Sequence, residues 1–159
     1  IIMEKFEKIM DGKIIQKDKK FFLKVEGSGE FEMGLVSEGY RKLSTIIYLI
    51  LSGSIAKTSV LFWDEPENNM NPKMIPPLVE AIVELAKMGV QVFVATHDYF
   101  VLQEFNLRAE YQKTKLEKPL NYSFISLFRE NGILQYESAK LISGLQHNAI
   151  MPRTPFDGQ

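Results

Sequence analysis

Two carboxylates, Asp64 and Glu65, directly follow the apolar run Ser59–Trp63, and Thr96-His97-Asp98 follows a second apolar run, Val90–Ala95. Adjacent acids at the end of one buried strand, with a histidine at the end of the next, suit phosphate hydrolysis. One acid helps to hold Mg²⁺, and a second acidic or polar group orients the attacking water. Each residue also has a plainer reading. An Asp-Glu pair is often a solvated turn, although here it ends an apolar strand and precedes Pro66. A lone histidine is often a hydrogen-bonded structural one. Asp98 reads first as the N-cap of a following helix, Glu67 as a solvated or turn residue, and His147 as incidental.

A second constellation is Val36-Ser37-Glu38-Gly39-Tyr40-Arg41-Lys42. A serine and a glycine at a helix start expose backbone N–H groups at the positive end of the helix dipole, which favours an anion. Arg41 and Lys42 add charge. An ordinary capped helix is the alternative. Glu38 suits the dipole but repels an anion, so it must point away or pair with a cation.

A nucleotide hydrolase also needs a glycine-rich phosphate loop, and the search for one fails. Gly27-Ser28-Gly29 leads into β-like sequence with no Lys-Ser/Thr behind it. Gly53–Thr58 holds Lys57-Thr58 without the glycines, and it follows a helix and precedes a strand, the reverse of the required context. A metal-dependent hydrolase using Asp64, Glu65 and His97 on Zn²⁺ or Mn²⁺ is another class of reading. Such a centre usually wants more histidines, and only His147 remains.

The elements that must position these groups follow from periodicity. Ile1–Met10 reads as a short helix ended by Asp11-Gly12. Lys13–Gln16, Phe21–Val25 and Glu30–Leu35 read as an antiparallel meander. Ser37 is expected to cap a helix over Glu38–Gly53 through its hydroxyl. Ser59–Trp63 is short and apolar enough for a strand buried on both faces. Asn71-Pro72 is a cap and first-turn pair for a helix whose true start is displaced toward Pro76 and Pro77. Gly89 ends that helix and Val90–Ala95 is a second buried strand. The order is a right-handed βαβ unit, whose parallel strands direct their carboxyl ends, and so Asp64, Glu65 and His97, to one edge where such sheets bind ligands. Asp98–Phe105 reads as helical, 106–120 is polar and unassigned, and Tyr122–Arg129 with Ile133–Glu137 flank an Asn131-Gly132 hairpin turn. A last helix is expected over Ala139–Leu145.

With 159 residues, 45% hydrophobic and 25% charged, the chain can bury a core of its own. Nineteen Lys and Arg against 20 Asp and Glu leave no global field drawing it to nucleic acid or membrane, and no cysteine means no disulfide or thiolate zinc site. The longest apolar stretch, around Ile46–Leu51, is far too short to span a bilayer. The opening Ile1-Ile2, without a methionine, and the tail Met151–Gln159 read as cut ends.

These residues together resemble the C-terminal lobe of an ABC-type ATPase domain, close to bacterial AAA-family ATPases of the SMC, RecF and OLD-like kind, over about Glu30–Phe105. Leu61–Pro66 looks like the Walker B motif, which implies Asp64 as the Mg²⁺-side acid and Glu65 as the water-orienting base. Asn68–Pro72 resembles the D-loop, with Asn71 where aspartate is more usual. Ala95–Asp98 is similar to the switch-histidine loop, so His97 would sense the γ-phosphate. Ser37–Lys42 is similar to the signature motif, whose role in such ATPases is to cover nucleotide held by a partner, and this implies Ser37, Gly39, Arg41, Lys42 and Asn71 as nucleotide contacts in trans. The resemblance implies an α/β fold, the C-terminal lobe of a parallel-sheet P-loop NTPase, with an N-terminal antiparallel meander and a C-terminal β-hairpin. It further implies one lobe over residues 1–150 with a tail at 151–159, and ATP and Mg²⁺ as cofactors; a cytoplasmic location off the membrane is expected from the lack of cysteine and of any long apolar stretch. The partners implied are a Walker A lobe from the same or another chain, a second copy to form a homodimer, and a nucleic acid or effector protein. The fragment alone is expected to be inactive. A truncated, non-catalytic interaction or regulatory module is the alternative, and the metal-dependent hydrolase stands behind it.

Overall fold

The computed structural model describes residues 2–112 and 119–148, so the expected tail and part of the unassigned 106–120 stretch lie outside the described residues. The chain divides into two compact units, residues 1–96 and 97–159.

The first unit opens with helix α1 (Ile2–Met10), followed by an antiparallel sheet of β1 (Lys13–Lys17), β2 (Lys20–Val25) and β3 (Gly29–Glu32). The reverse between β1 and β2 turns on Asp18 and Lys19, both at positive φ. The run expected to stay extended to Leu35 instead leaves the sheet after Glu32, which pairs with Phe22, and enters a one-turn helix, α2 (Met33–Val36). Burial is the reason: the turn sends Met33, fully shielded from solvent, into the core. That core gathers Phe6 and Met10 of α1, Phe21 and Leu23 of β2, Leu43, Ile46 and Ile47 of α3 (Glu38–Leu51), and Ala81 and Leu85 of α4 (Ile75–Lys87). Lys5 of α1 and Lys87 both pair with Glu84, which is buried in α4.

β4 (Val60–Asp64) and β5 (Gln91–Ala95) pair in parallel, with Trp63 opposite Val94 and Asp64 opposite Ala95. α4 supplies the crossover, and as Pro76 and Pro77 require, it starts at Ile75 after a 3₁₀ turn over Pro72–Met74. The expectation that both strands are buried on two faces is wrong. Leu61, Trp63 and Val92 pack on the core, but burial alternates along each strand, leaving Phe62 75% exposed and Phe93 41% exposed. The two rings stack on each other at 4.7 Å. A two-stranded sheet has one helix-covered face, and its continuous apolar sequence therefore leaves aromatic surface uncovered.

In the second unit, α5 (Tyr99–Glu110) runs past the expected end at Phe105, with Glu104 and Arg108 paired one turn apart. β6 (Phe124–Glu130) and β7 (Ile133–Ala139) form the hairpin, in register from Glu130 opposite Ile133 to Phe124 opposite Ala139. Its turn residues Asn131 and Gly132 both have positive φ, as a two-residue primed turn demands. The helix expected over Ala139–Leu145 is absent. β7 claims Ala139, and only a 3₁₀ turn forms at Ile142–Gly144, with the Ile142 amide held by Asn106 Oδ1 at 2.9 Å. Ser143 and Gly144 are weak helix formers, so the hairpin ladder prevails.

Candidate functional site

The candidate site begins where β4 ends. Asp64 is the last residue of the strand and is exposed, and the Glu65 amide donates to the Ala95 carbonyl at 2.8 Å, prolonging the parallel ladder by one bond. Glu65 itself is in the left-handed region at φ 43°, and Asn69 follows at φ 59°. A non-glycine residue held there costs about 1–3 kcal/mol, and such strain concentrates at functional sites. The loop between them closes on two turn bonds, Asn68 N–H to Glu65 O at 3.0 Å and Met70 N–H to Glu67 O at 2.9 Å. Asn71 then caps the 3₁₀ turn, its Oδ1 accepting from the Lys73 amide at 3.0 Å.

The signature-like segment sits at the start of α3. Ser37 occupies the N-cap position with extended backbone, yet its side chain makes no capping bond, contrary to expectation. Its carbonyl accepts from the Arg41 amide at 3.0 Å, and the residue is exposed. Arg41 pairs with Glu38, which resolves the misfit of an acid at a helix start expected to attract anions. Gly39 is buried, and a Cβ there would lie 3.0 Å from Met74 Cβ and Cγ. Packing against Met74 therefore disfavours any larger residue at this position.

Lys42 reaches across to the loop after the acidic pair. Its ammonium donates to the carbonyls of Pro66 at 2.7 Å and Asn68 at 2.6 Å. Burial draws its pKa below the ordinary lysine value, the charge of Glu67 acts against that, and Arg41 adds to the lowering. Glu67 in turn accepts from the Thr96 hydroxyl, while its second carboxylate oxygen is buried without a hydrogen-bond partner. The first unit thus brings together Asp64, Glu65, Glu67, Lys42 and Thr96. His97 is the first residue of the second unit, and Asp98 caps α5, its Oδ1 accepting from the Val101 amide at 2.9 Å.

Sequence reasoning read Glu67 first as a turn residue and missed its bond to Thr96 and the carbonyl bonds of Lys42. No local pattern names partners 24 to 29 positions apart. The nearest signal is the loop itself, since a tight turn after a proline leaves carbonyls that need a donor from another element. His147, read as incidental, stacks on Phe128 at 4.0 Å and meets Glu137 through its backbone amide at 2.5 Å and its ring nitrogen at 3.3 Å. Among the described residues no group of three His, Cys, Asp or Glu side chains could hold a metal ion by itself. Also among them, no helix is long and apolar enough to cross a membrane.

Comparison with known proteins agrees with this fold. Similar solved structures are SMC ATPase heads. One, described under "Structural biochemistry of ATP-driven dimerization and DNA stimulated activation of SMC ATPases", has a TM-score of 0.54 at 13% identity over 87% of this chain and 83% of that one. The Smc head with an extended coiled coil bound to the C-terminal domain of ScpA, from Pyrococcus furiosus, gives 0.56 at 14% identity over 87% of this chain. The SmcHead bound to the C-winged helix domain of ScpA gives 0.58 at 14% identity over 90% of this chain. This chain spans 33% and 42% of the length of those last two. At such identities the likeness is one of fold, an ABC ATPase-like α/β arrangement. No curated protein sequence matches the chain. The family model described as "AAA domain, putative AbiEii toxin, Type IV TA system" matches residues 2–103, well over half of the 159, and the chain belongs to that AAA-domain family.

Proposed function

We propose that this chain is the Walker B and signature half of a dimerising ATP-hydrolysing domain that couples ATP binding to a mechanical or nucleic-acid-related task. The observation that carries this reading is the Asp64-Glu65 pair at the carboxyl end of a parallel strand, with Glu65 held in left-handed backbone beside the end of β5. Open α/β sheets bind ligands outside those strand ends.

In this reading Asp64 serves the metal. Mg²⁺ is usually held by one or two carboxylates together with substrate phosphates, so a single exposed aspartate fits it and no three-residue cluster is needed. Bound there with ATP, the ion would neutralise charge on the phosphates. Glu65 orients the attacking water and accepts its proton, and His97 senses the γ-phosphate. Ser37, Gly39, Arg41 and Asn71 contact nucleotide held by the other subunit. Residues 1–150 act as one lobe, completed by a lobe that carries the phosphate loop. The exposed faces of Phe62 and Phe93 are suited to meet such a lobe. The complete protein is a cytoplasmic homodimer that engages a nucleic acid or an effector protein.

Steady-state ATP hydrolysis by the protein joined to its phosphate-loop lobe tests the assignment. Asp64→Asn should abolish Mg²⁺-dependent turnover. His97→Ala should lower kcat at least tenfold, about 1.4 kcal/mol of transition-state stabilisation, with little change in melting temperature. Wild-type turnover in both variants would refute the site.

A further inference from the structure

We propose that Lys42 and Glu67 form a clamp on the loop that carries Glu65, and that both are positioning residues for hydrolysis rather than ligands of nucleotide. The inference rests on the ATPase reading for its activity and on geometry for the clamp.

Three anchors hold the loop. The Glu65 amide is bonded to Ala95 of β5 at 2.8 Å, Glu67 is bonded to Thr96 just beyond β5, and Lys42 of α3 takes the carbonyls of Pro66 and Asn68. Those carbonyls flank Glu67 and take no part in the two turn bonds, whose acceptors are the carbonyls of Glu65 and Glu67. Two carbonyls two positions apart in the chain need a compact donor able to serve both. An ammonium has three donors in tetrahedral array, whereas a planar guanidinium fork is built for paired oxygens in one plane.

The charge of Lys42 is therefore spent within its own subunit. Two of its three donors are committed to carbonyls, and Glu67, the nearby carboxylate acting on it, offsets the positive charge. What the clamp secures is the left-handed backbone of Glu65, a conformation that relaxes unless its surroundings fix it. A water-orienting carboxylate gains its effect from being held in place, so loosening the loop lowers the rate of the chemical step without weakening ATP binding.

The test combines kinetics with amide hydrogen exchange. In the protein joined to its phosphate-loop lobe, Lys42→Met, Glu67→Gln and Thr96→Val should each lower kcat at least tenfold and leave the KM for ATP within twofold. The Lys42→Met/Glu67→Gln double variant should be little worse than either single one. Lys42→Arg should fail as well, since arginine would rescue a simple phosphate-binding cation but not the paired carbonyls. In this chain by itself, Lys42→Met and Glu67→Gln should speed exchange of the Asn68 and Met70 amides at least tenfold, with Leu85 in the core of α4 unchanged as the control for folding. A KM raised tenfold or more with loop protection intact would make Lys42 a nucleotide ligand and overturn the clamp. Should the complete wild-type protein hydrolyse no ATP, the ATPase reading fails, and the exchange data still decide: faster loop exchange supports the clamp and unchanged exchange overturns it.

Discussion

Gly39→Ala separates packing from ligand approach at the signature-like helix. A Cβ at this position would stand 3.0 Å from Met74 Cβ, 3.0 Å from Cγ and 3.1 Å from Cε. The outer two atoms can swing away, but Met74 Cβ moves only with its backbone, at the junction of the 3₁₀ turn and α4. Inserting a methyl into such a contact costs about 1–3 kcal/mol. Replacing a helical glycine by alanine returns up to about 1 kcal/mol, less in a first turn. The net is a loss of about 1–2 kcal/mol, which for a chain of this length lowers Tm by roughly 3–6 °C. Met74→Ala removes two of the three contacts, so the double variant should be less destabilised than the two singles added, by about 0.5–1 kcal/mol. Circular dichroism melts and urea titrations of the four proteins measure this. A Gly39→Ala chain that melts at or above wild type would refute the packing argument and leave close approach of a ligand as the only reason for glycine.

Titration calorimetry of this chain with ATP and Mg²⁺ should show only feeble binding, because the absent phosphate loop supplies hydrogen bonds to charged groups worth about 1.5–3 kcal/mol each; micromolar affinity would reveal another nucleotide site. Burial opposes ionisation of Glu84, but its bonds to Lys5 and Lys87 prevail and hold its pKa below the usual carboxylate value. A depressed carboxylate adds stability that is present above roughly pH 4.3 and lost as pH falls through the lower folded-state value. Glu84→Gln should therefore lower the urea midpoint at pH 7 and converge on wild type in acid, and a deficit that is the same at both pH values would contradict the assignment. Phe62→Lys should cost this chain only its stacking on Phe93, about 0.5–1.5 kcal/mol, since the ring is otherwise 75% exposed, yet prevent co-purification with a phosphate-loop lobe; undiminished association would show that this face is not the one covered.

The site was legible in the sequence wherever chemistry and local pattern coincide. Two acids after an apolar strand, the Asn71-Pro72 cap, the shift of α4 toward its prolines and the Asn-Gly hairpin all depend on neighbours in the chain. What escaped depends on distant partners. An apolar run does not say whether one or two faces are covered, so the exposure of Phe62 was hidden until the sheet proved to have two strands. The β-like run ending at Leu35 broke at Met33 because tertiary burial outweighed local pattern. Ser37 has a good capping side chain that makes no cap, and Lys42 and Glu67 owe their roles to carbonyls and a hydroxyl contributed by other elements.

In the proposed mechanism Glu65 activates water while Asp64 holds the metal, in a site closed by a second subunit. Light scattering after size exclusion, on Glu65→Gln protein joined to its phosphate-loop lobe and incubated with ATP and Mg²⁺, tests it most directly. Glutamine keeps the size and hydrogen bonding of glutamate but is not a useful base, so the chemical step stops while binding survives. The expected result is a dimer that persists with unhydrolysed ATP, and for Asp64→Asn no stable dimer. A Glu65→Gln protein that stays monomeric with ATP bound, or that hydrolyses ATP at the wild-type rate, would contradict it.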